Sequence, residues 1–340
     1  MIISASTITD SRDNVVTFVE RNLRGGVDHM VVFLDAPLPE VAEYLDSQPD
    51  VTAVPAYGGW WSGHPRFQER RSLNAGVISR LVADLPWAEW VFHIDAAEVA
   101  QIDRAVLDRL GPETRAVRLT CHEAVSRLRP EADPTLFKRV PDQDVLTLLA
   151  ALGVIRKAAL PFYFRGQSAG RPGVRPSRGL ALDVRHVIDT RTSNPVATVQ
   201  APGLTLLSYE SYSSQEFVRT WTDRLESGRG LQQSGPRGQL ARSVSALLSL
   251  DLTEAARATW FDRLFERVAL DDVDTLSRLR LLVEIDPETV VRPEVRVPPD
   301  DVTQLRELLD RVRDVPKRQF HPRSARARAT KTAARLRRGL

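Results

Sequence analysis

The chain has 340 residues, 42% of them apolar and 27% charged, a composition that excludes a disordered, fibrous or membrane-embedded protein and suits one large domain with an appendage. No run approaches the roughly 18 apolar residues of a membrane span, and residues 1–9 lack the basic-then-apolar order of a leader, so a cytoplasmic protein is expected. The single cysteine, Cys121, excludes an intrachain disulfide framework and any multi-cysteine metal site, and reads as a buried spectator. The net charge of +3 is unevenly spread: residues 317–340 are rich in Lys and Arg and hold no acid, which leaves the rest near neutral or acidic.

In chain order, residues 1–6 read as a strand and residues 10–23 as a helix with Val15, Val16, Phe18, Val19 and Leu23 on one face, stopped by Gly25-Gly26. A strand at 29–34, a short helix at 37–45 and a strand at 51–54 follow, then an irregular loop around Gly58-Gly59-Trp60-Trp61. Residues 67–85 read as a longer helix, 90–94 as a strand, 105–110 as a helix and 115–120 as a further strand. This βα rhythm predicts a mostly parallel sheet flanked by helices. Pro, Gly and Arg crowd residues 164–182, which read as a loop-rich segment on the sheet's rim. Helical spacing returns at 214–226, 243–268, 271–285 and 300–312, so the C-terminal region is predicted mainly α. The basic end is either a helix or a disordered arm. Boundaries are expected near residues 225 and 316, giving an α/β domain, a helical region and a basic tail.

Acids follow the strand Trp90-Val91-Phe92-His93-Ile94 directly, at Asp95 and Glu98, on the edge where open α/β sheets bind ligands. Either Asp95 caps the next turn through its side chain, or the acids hold a divalent ion through oxygen, which suits Mg²⁺ or Mn²⁺.

Around these acids the sequence resembles the family 2 glycosyltransferases, in the branch with a W-[apolar]-x-x-x-D-x-D-E signature preceded by a Gln-Arg-x-x-x-Asn helix. The matching residues are Gln68-Glu69-Arg70-Arg71-Ser72-Leu73-Asn74 and then Trp90-Val91-Phe92-His93-Ile94-Asp95-Ala96-Ala97-Glu98. Asp10-Ser11-Arg12-Asp13-Asn14 stands where a Lys-Asn-Glu element follows strand one, and strand two ends in Asp35. Gly166-Gln167-Ser168-Ala169-Gly170-Arg171 is similar to a Gly-Lys-Ser-Ala-x-Arg segment with His186 downstream, and Ser208-Tyr209 to a His-Tyr element. The resemblance spans residues 1–225. It implies a GT-A-like fold and transfer of a sugar from a nucleotide-diphosphate donor to a hydroxyl acceptor, in cell-surface glycan synthesis. Asp95 and Glu98 then organise the diphosphate, directly or through Mg²⁺ or Mn²⁺. Asp35 and Asp13 contact the nucleoside, Arg171, His186 and Tyr209 line the opposite wall, and Arg70, Asn74 and Ser208 count among the substrate-binding residues. The motif departs from the family at four places. Glu69 stands where it has Gln. Ala97 replaces the second aspartate, Ser208 the histidine before tyrosine, and Gln167 the lysine. Alanine offers no donor atom and serine is a poor metal ligand, so either the ion is held in a shifted geometry, or arginines replace it, or activity is gone and a non-catalytic binding protein remains.

Read without the resemblance, Asp35 is an acid before a turn, Asp13 a helix N-terminal acid and the rim arginines Arg165, Arg171, Arg175 and Arg178 a solvent-facing set. Glu123, after the fifth strand, is the candidate acceptor-deprotonating base. Trp60 and Trp61 read as packing anchors rather than a sugar platform. The basic tail carries no base-reading motif, so specific nucleic-acid binding is not expected. It suits solubility, or weak attachment to an anionic inner membrane face carrying a lipid-linked acceptor.

Overall fold

The computed structural model describes residues 1–166, 169–226, 235–291 and 297–320. The chain opens with β1 (Ile2–Ile8), α1 (Arg12–Arg24), β2 (His29–Leu34), α2 (Pro39–Asp46), β3 (Val51–Pro55), α3 (Phe67–Leu81), β4 (Trp90–His93) and β5 (Glu98–Ile102). It continues with α4 (Arg104–Asp108), β6 (Ala116–Ala124), β7 (Leu136–Lys138), α5 (Gln143–Ala151) and α6 (Leu160–Tyr163), then β8 (Arg171–Val174), β9 (Leu180–Leu182) and β10 (Val187–Asp189). After β11 (Leu204–Ser208) come α7 (Ser214–Glu226), α8 (Gly235–Ser249), α9 (Glu254–Val268), α10 (Val273–Arg278), β12 (Leu282–Glu284) and α11 (Pro299–Arg311). The class is α/β, with helices flanking a mixed sheet in which β3, β2, β1 and β4 run parallel, and with a mainly helical C-terminal region, as the hydrophobic periodicity predicts. No helix among the described residues is long and apolar enough to cross a membrane.

The chain divides into two compact units that interleave in sequence, whereas the expected boundaries divide it linearly. The first takes residues 1–120, 169–206 and 287–340; the second takes 121–168 and 207–286. The basic stretch beyond residue 320 lies outside the described residues.

In the first unit β3, β2, β1 and β4 run parallel, and β8 lies antiparallel between β4 and the first half of β6. Every residue of β1 and β2 is buried, the signature of strands covered on both faces, which accounts for the apolar run of residues 30–34 in β2 and the small residues of β1. Ile3, Val31, Phe33 and Val91 of the sheet pack with Val77 and Ile78 of α3 and Leu305 and Leu309 of α11 in one core. Buried Asn22 fixes β5 against α1, its Oδ1 accepting from the Ala100 N–H at 2.9 Å and its amide donating to the Glu98 carbonyl at 3.0 Å. That places the backbone of Glu98.

β8 is the element the sequence conceals. Arg-Pro-Gly-Val reads as loop because Pro and Gly weaken strands, yet it fills an interior position of the sheet. Its glycine is required there: a Cβ on Gly173 meets the Phe92 ring at 2.2 Å, and Phe92 is fully buried. Gly173→Ala is expected to cost about 2–3 kcal/mol through overpacking, read as a lowered urea midpoint with an unchanged slope.

In the second unit the other half of β6 pairs antiparallel with β7, and β7 with β12. Leu146, Leu149, Tyr163, Phe164 and Leu276 form one core, and Phe217, Trp221, Phe261 and Phe265 another. Residues 271–285 are not the single helix expected. α10 stops, Arg280 takes φ 56°, and the chain leaves as β12 to pair with β7. The helix expected over 243–268 is likewise two, α9 starting afresh where the Thr253 hydroxyl accepts from the Ala256 N–H at 3.3 Å. Cys121, the single cysteine, is buried, as expected.

Candidate functional site

Parallel pairing brings the C-terminal ends of β1, β2 and β4 to one edge, with Ile8 opposite Leu34 and Ala5 opposite His93. Asp10, Asp35 and Asp95 therefore lie just beyond three adjacent strand ends, the position at which open α/β sheets hold ligands. α3, which follows β3, carries Arg70, Arg71 and Asn74 to the same group.

Asp95 and Glu98 form the centre of a closed charge cluster. Arg171 of β8 donates from Nε to Glu98 Oε2 at 2.7 Å and from Nη2 to Glu98 Oε1 at 2.9 Å, a bidentate pair, while its Nη1 reaches the Val184 carbonyl at 3.1 Å. The same Nη2 contacts Asp95 Oδ2, and Arg71 donates from its own Nη2 to that oxygen. His93 Nε2 stands 3.1 Å from Asp95 Oδ1, and the Asp95 backbone N–H donates to Glu98 Oε2 at 2.9 Å. The Arg171 and Glu98 side chains are each 4% exposed, and Asp95 is 24% exposed.

The electrostatics follow from burial and pairing. Burial pushes the Asp95 carboxyl up, but Arg171 and Arg71 together hold it well below its usual value. Burial raises Glu98, with the Asp95 charge adding to the effect and Arg171 opposing it. Burial also lowers His93. Its Nδ1 lies 2.9 Å from the Ala5 carbonyl, which can only accept, so the neutral ring carries its proton on Nδ1 and offers Nε2 to Arg71 Nη2 at 3.4 Å.

Asp35 accepts from Arg70 Nη2 at 2.5 Å, with its side chain 3% exposed. Asn74 is buried, donating to Thr7 Oγ1 at 2.9 Å and accepting from Trp60 Nε1 at 3.3 Å. Trp60 is thus a packing anchor, as expected. Asp13 is exposed in the first turn of α1, and His186 is exposed just before β10. The structure thus gathers Asp95, Glu98 and Arg171, and separately Asp35 with Arg70. Arg171 sits on the acids themselves rather than on a wall facing them. Sequence reasoning quoted Arg71 and His93 without assigning them a role; the signal was their place in the two motif segments that also supply Arg70 and Asp95.

Glu123, Ser208 and Tyr209 belong to the second unit. Glu123 is buried and accepts from the backbone N–H of Arg165 at 2.8 Å and of Gly166 at 2.5 Å, and from Lys138 Nζ at 2.8 Å. Ser208 is buried at the end of β11. Tyr209 sets its ring edge-on to Phe137, with centroids 5.7 Å apart. Gln167 lies outside the described residues. A cavity of about 350 Å³ in the first unit is lined by Thr52 to Pro55, Trp60, Arg306 and Arg313 and contains none of the acid cluster.

The chain matches no protein-family model and no curated protein sequence. Solved structures similar to it include a mycobacterial protein, at 12% identity and TM-score 0.28, covering 70% of this chain and 81% of that one. Glucosyl-3-phosphoglycerate synthase from Mycobacterium tuberculosis, in a complex with Mn²⁺, UDP and phosphoglyceric acid, gives 16% identity and TM-score 0.26, covering 80% and 79%. The glycosyltransferase GlyE of Streptococcus pneumoniae TIGR4 gives 11% and 0.24, covering 91% and 60%. Two of these structural neighbours are glycosyltransferases, and at such TM-scores no activity follows from the likeness.

The Mg²⁺ or Mn²⁺ implied by the resemblance does not fit the side chains present. Both oxygens of Glu98 and Oδ2 of Asp95 already face guanidinium or backbone donors, and Ala97 supplies no ligand. Among the described residues no group of three or more His, Cys, Asp or Glu is placed to hold a metal ion.

Proposed function

We propose that this protein binds a nucleotide-diphosphate sugar and transfers the sugar to a hydroxyl acceptor. The observation that carries the reading is the set of acids at adjacent parallel strand ends, Asp10, Asp35 and Asp95, interleaved with Arg70, Arg71 and Arg171. Carboxylates there suit ribose and base donors, and guanidinium forks suit phosphate oxygens. The Gln68–Asn74 and Trp90–Glu98 segments supply these groups in the order of the glycosyltransferase motif they resemble. Asp35 and Asp13 are assigned to the nucleoside and Arg70, Arg71 and Arg171 to the donor's charged end. Asn74 holds Thr7 and Trp60 beneath them. His186, Ser208 and Tyr209 stay as candidate acceptor-side groups, for a cell-surface glycan or its lipid-linked precursor. Weak attachment of the basic tail to an anionic inner membrane face is part of the same proposal. Glu123, held by three donors, is assigned to anchoring the Arg165-Gly166 turn, and the acceptor's base is left to groups not yet identified.

The test is thermal unfolding of the full-length protein with UDP, GDP, dTDP and their sugars. A ligand at 100 times its Kd stabilises the native state by about 2.7 kcal/mol, a rise of several degrees in the transition temperature. A rise with one nucleotide, together with release of that nucleotide from its sugar when acceptor is supplied, supports transfer. Binding without turnover favours a second reading, a catalytically degenerate binding protein, to which Ala97 and Ser208 point. No rise with any nucleotide sinks both.

A further inference from the structure

We infer that the donor site works without a divalent cation, with Arg71 supplying to the diphosphate the positive charge that a metal ion supplies elsewhere. The inference rests on the donor-binding reading above and deepens it.

Three observations carry it. The first is the occupancy of the acids. A divalent ion at Asp95 and Glu98 needs carboxylate oxygens open towards it, and three of the four, both of Glu98 and Oδ2 of Asp95, are covered by Arg171, Arg71 and the Asp95 N–H. Displacing a bidentate guanidinium from a carboxylate in a site this buried leaves a cation without its partner, which opposes metal entry.

The second is the difference between the two arginines. Arg171 is pinned on three sides, by both Glu98 oxygens, by Asp95 and by the Val184 carbonyl. Its role is to position the acids. Arg71 is held less completely: Nη1 donates to Gln68 Oε1 at 3.0 Å and Nη2 to Asp95. Its Nε–H, on a side chain 10% exposed, is buried and meets no acceptor among the described residues. A buried guanidinium donor with nothing to bond is costly unless a ligand supplies the oxygen, and an anion is the ligand that suits it.

The third is the neighbour. Arg70 has the same feature: its Nη2 is engaged by Asp35 and its Nη1 by the Pro65 carbonyl at 3.2 Å, while its Nε is buried and without a partner among the described residues. Arg70 and Arg71 stack against the Phe67 ring, each guanidinium carbon 5.8 Å from the ring centre, at the start of a helix of 15 residues. Two unfilled guanidinium donors at the positive end of a long helix match a diphosphate, whose charge is spread over several oxygens.

The experiment is calorimetric titration of the full-length protein with UDP, GDP and dTDP, in EDTA and again with Mn²⁺ in excess, followed by the same titration of Arg71→Lys. The expected result is a nucleotide that binds in EDTA with a Kd that Mn²⁺ changes less than about threefold, and that Arg71→Lys weakens roughly tenfold or more, since lysine keeps the charge but loses the fork. Far-ultraviolet circular dichroism and the melting temperature of Arg71→Lys separate lost binding from lost folding, and the wild-type comparison needs no variant. Binding that appears only with Mn²⁺ overturns the inference and leaves donor binding intact. Unchanged affinity in a folded Arg71→Lys overturns the role given to Arg71. No binding in either buffer removes the donor-binding reading itself, and this inference with it.

Discussion

Arg171→Leu is expected to destabilise the first unit by about 3–5 kcal/mol, because it leaves the buried Glu98 carboxylate, and Asp95 beside it, without their principal counter-charge. The Arg171 and Glu98 side chains are each 4% exposed, so solvent does little to screen the loss. A drop of that size is a large part of the stability of an ordinary domain and is read from the urea midpoint. The double variant Arg171→Leu, Glu98→Leu is expected to recover much of it, since removing both members of a buried pair spares the uncompensated charge. The pH dependence carries a sign. Asp95 is held well below its usual value, so its contribution is complete above about pH 3.9 and lost only as pH falls towards the depressed value. The gap between wild type and Arg171→Leu should therefore be widest near neutrality and narrow as pH falls, first as Glu98, which burial raises, takes up its proton and then as Asp95 does. A gap independent of pH would mean that Arg171 acts through packing rather than through Asp95 and Glu98.

Much of this cluster was legible from the sequence, and the reasons it was only partly legible are physical. β2 was visible at its observed limits because a fully buried parallel strand is an unbroken apolar run. Asp35 and Asp95 were visible because an acid after such a run is conspicuous. The partners of Asp95 were harder to find. Arg71 is 24 residues away on a helix whose buried face includes Arg71, Ser72 and Asn74, so polarity alone gives no inward direction. Arg171 sits in a strand that its own Pro172 and Gly173 disguise. Nothing in local periodicity states that residues 171–174 return to lie between β4 and β6, since that is decided by the whole sheet and by the space Phe92 leaves above Gly173. The resemblance suggested the roles of Asp95 and Glu98, and the structure pairs both acids with guanidinium groups of the chain itself. The same limit explains β12. An apolar spacing that suits a helix over 271–285 cannot reveal that Arg280 turns into the left-handed region and hands Leu282–Glu284 to β7.

Lys138→Met is the corresponding experiment in the second unit. Lys138 Nζ is fully buried, 2.8 Å from Glu123 Oε1, 3.0 Å from Asp271 Oδ2 and 3.1 Å from the Tyr163 carbonyl. Asp271 also accepts from the Ser126 N–H at 2.9 Å and lies 3.6 Å from Arg165 Nη2. One ammonium thus ties β7, the loop before β8 and the start of the α10 segment to the end of β6. Methionine fills nearly the same volume, so the variant removes the charge with little cavity, and about 3–5 kcal/mol should be lost because two buried carboxylates are left facing each other. The effect should appear as faster amide exchange confined to the second unit, β7 and β12 first. Glu123→Gln decides what the carboxylate is for. A general base requires an open oxygen towards the acceptor, and its loss would abolish turnover while stability stays near wild type. Glu123 instead receives the Arg165 and Gly166 N–H groups, and an amide nitrogen in place of Oε2 sets a donor against the Gly166 donor at 2.5 Å. Glu123→Gln should therefore lose about 1–3 kcal/mol of stability and lower turnover only in proportion to the folded fraction.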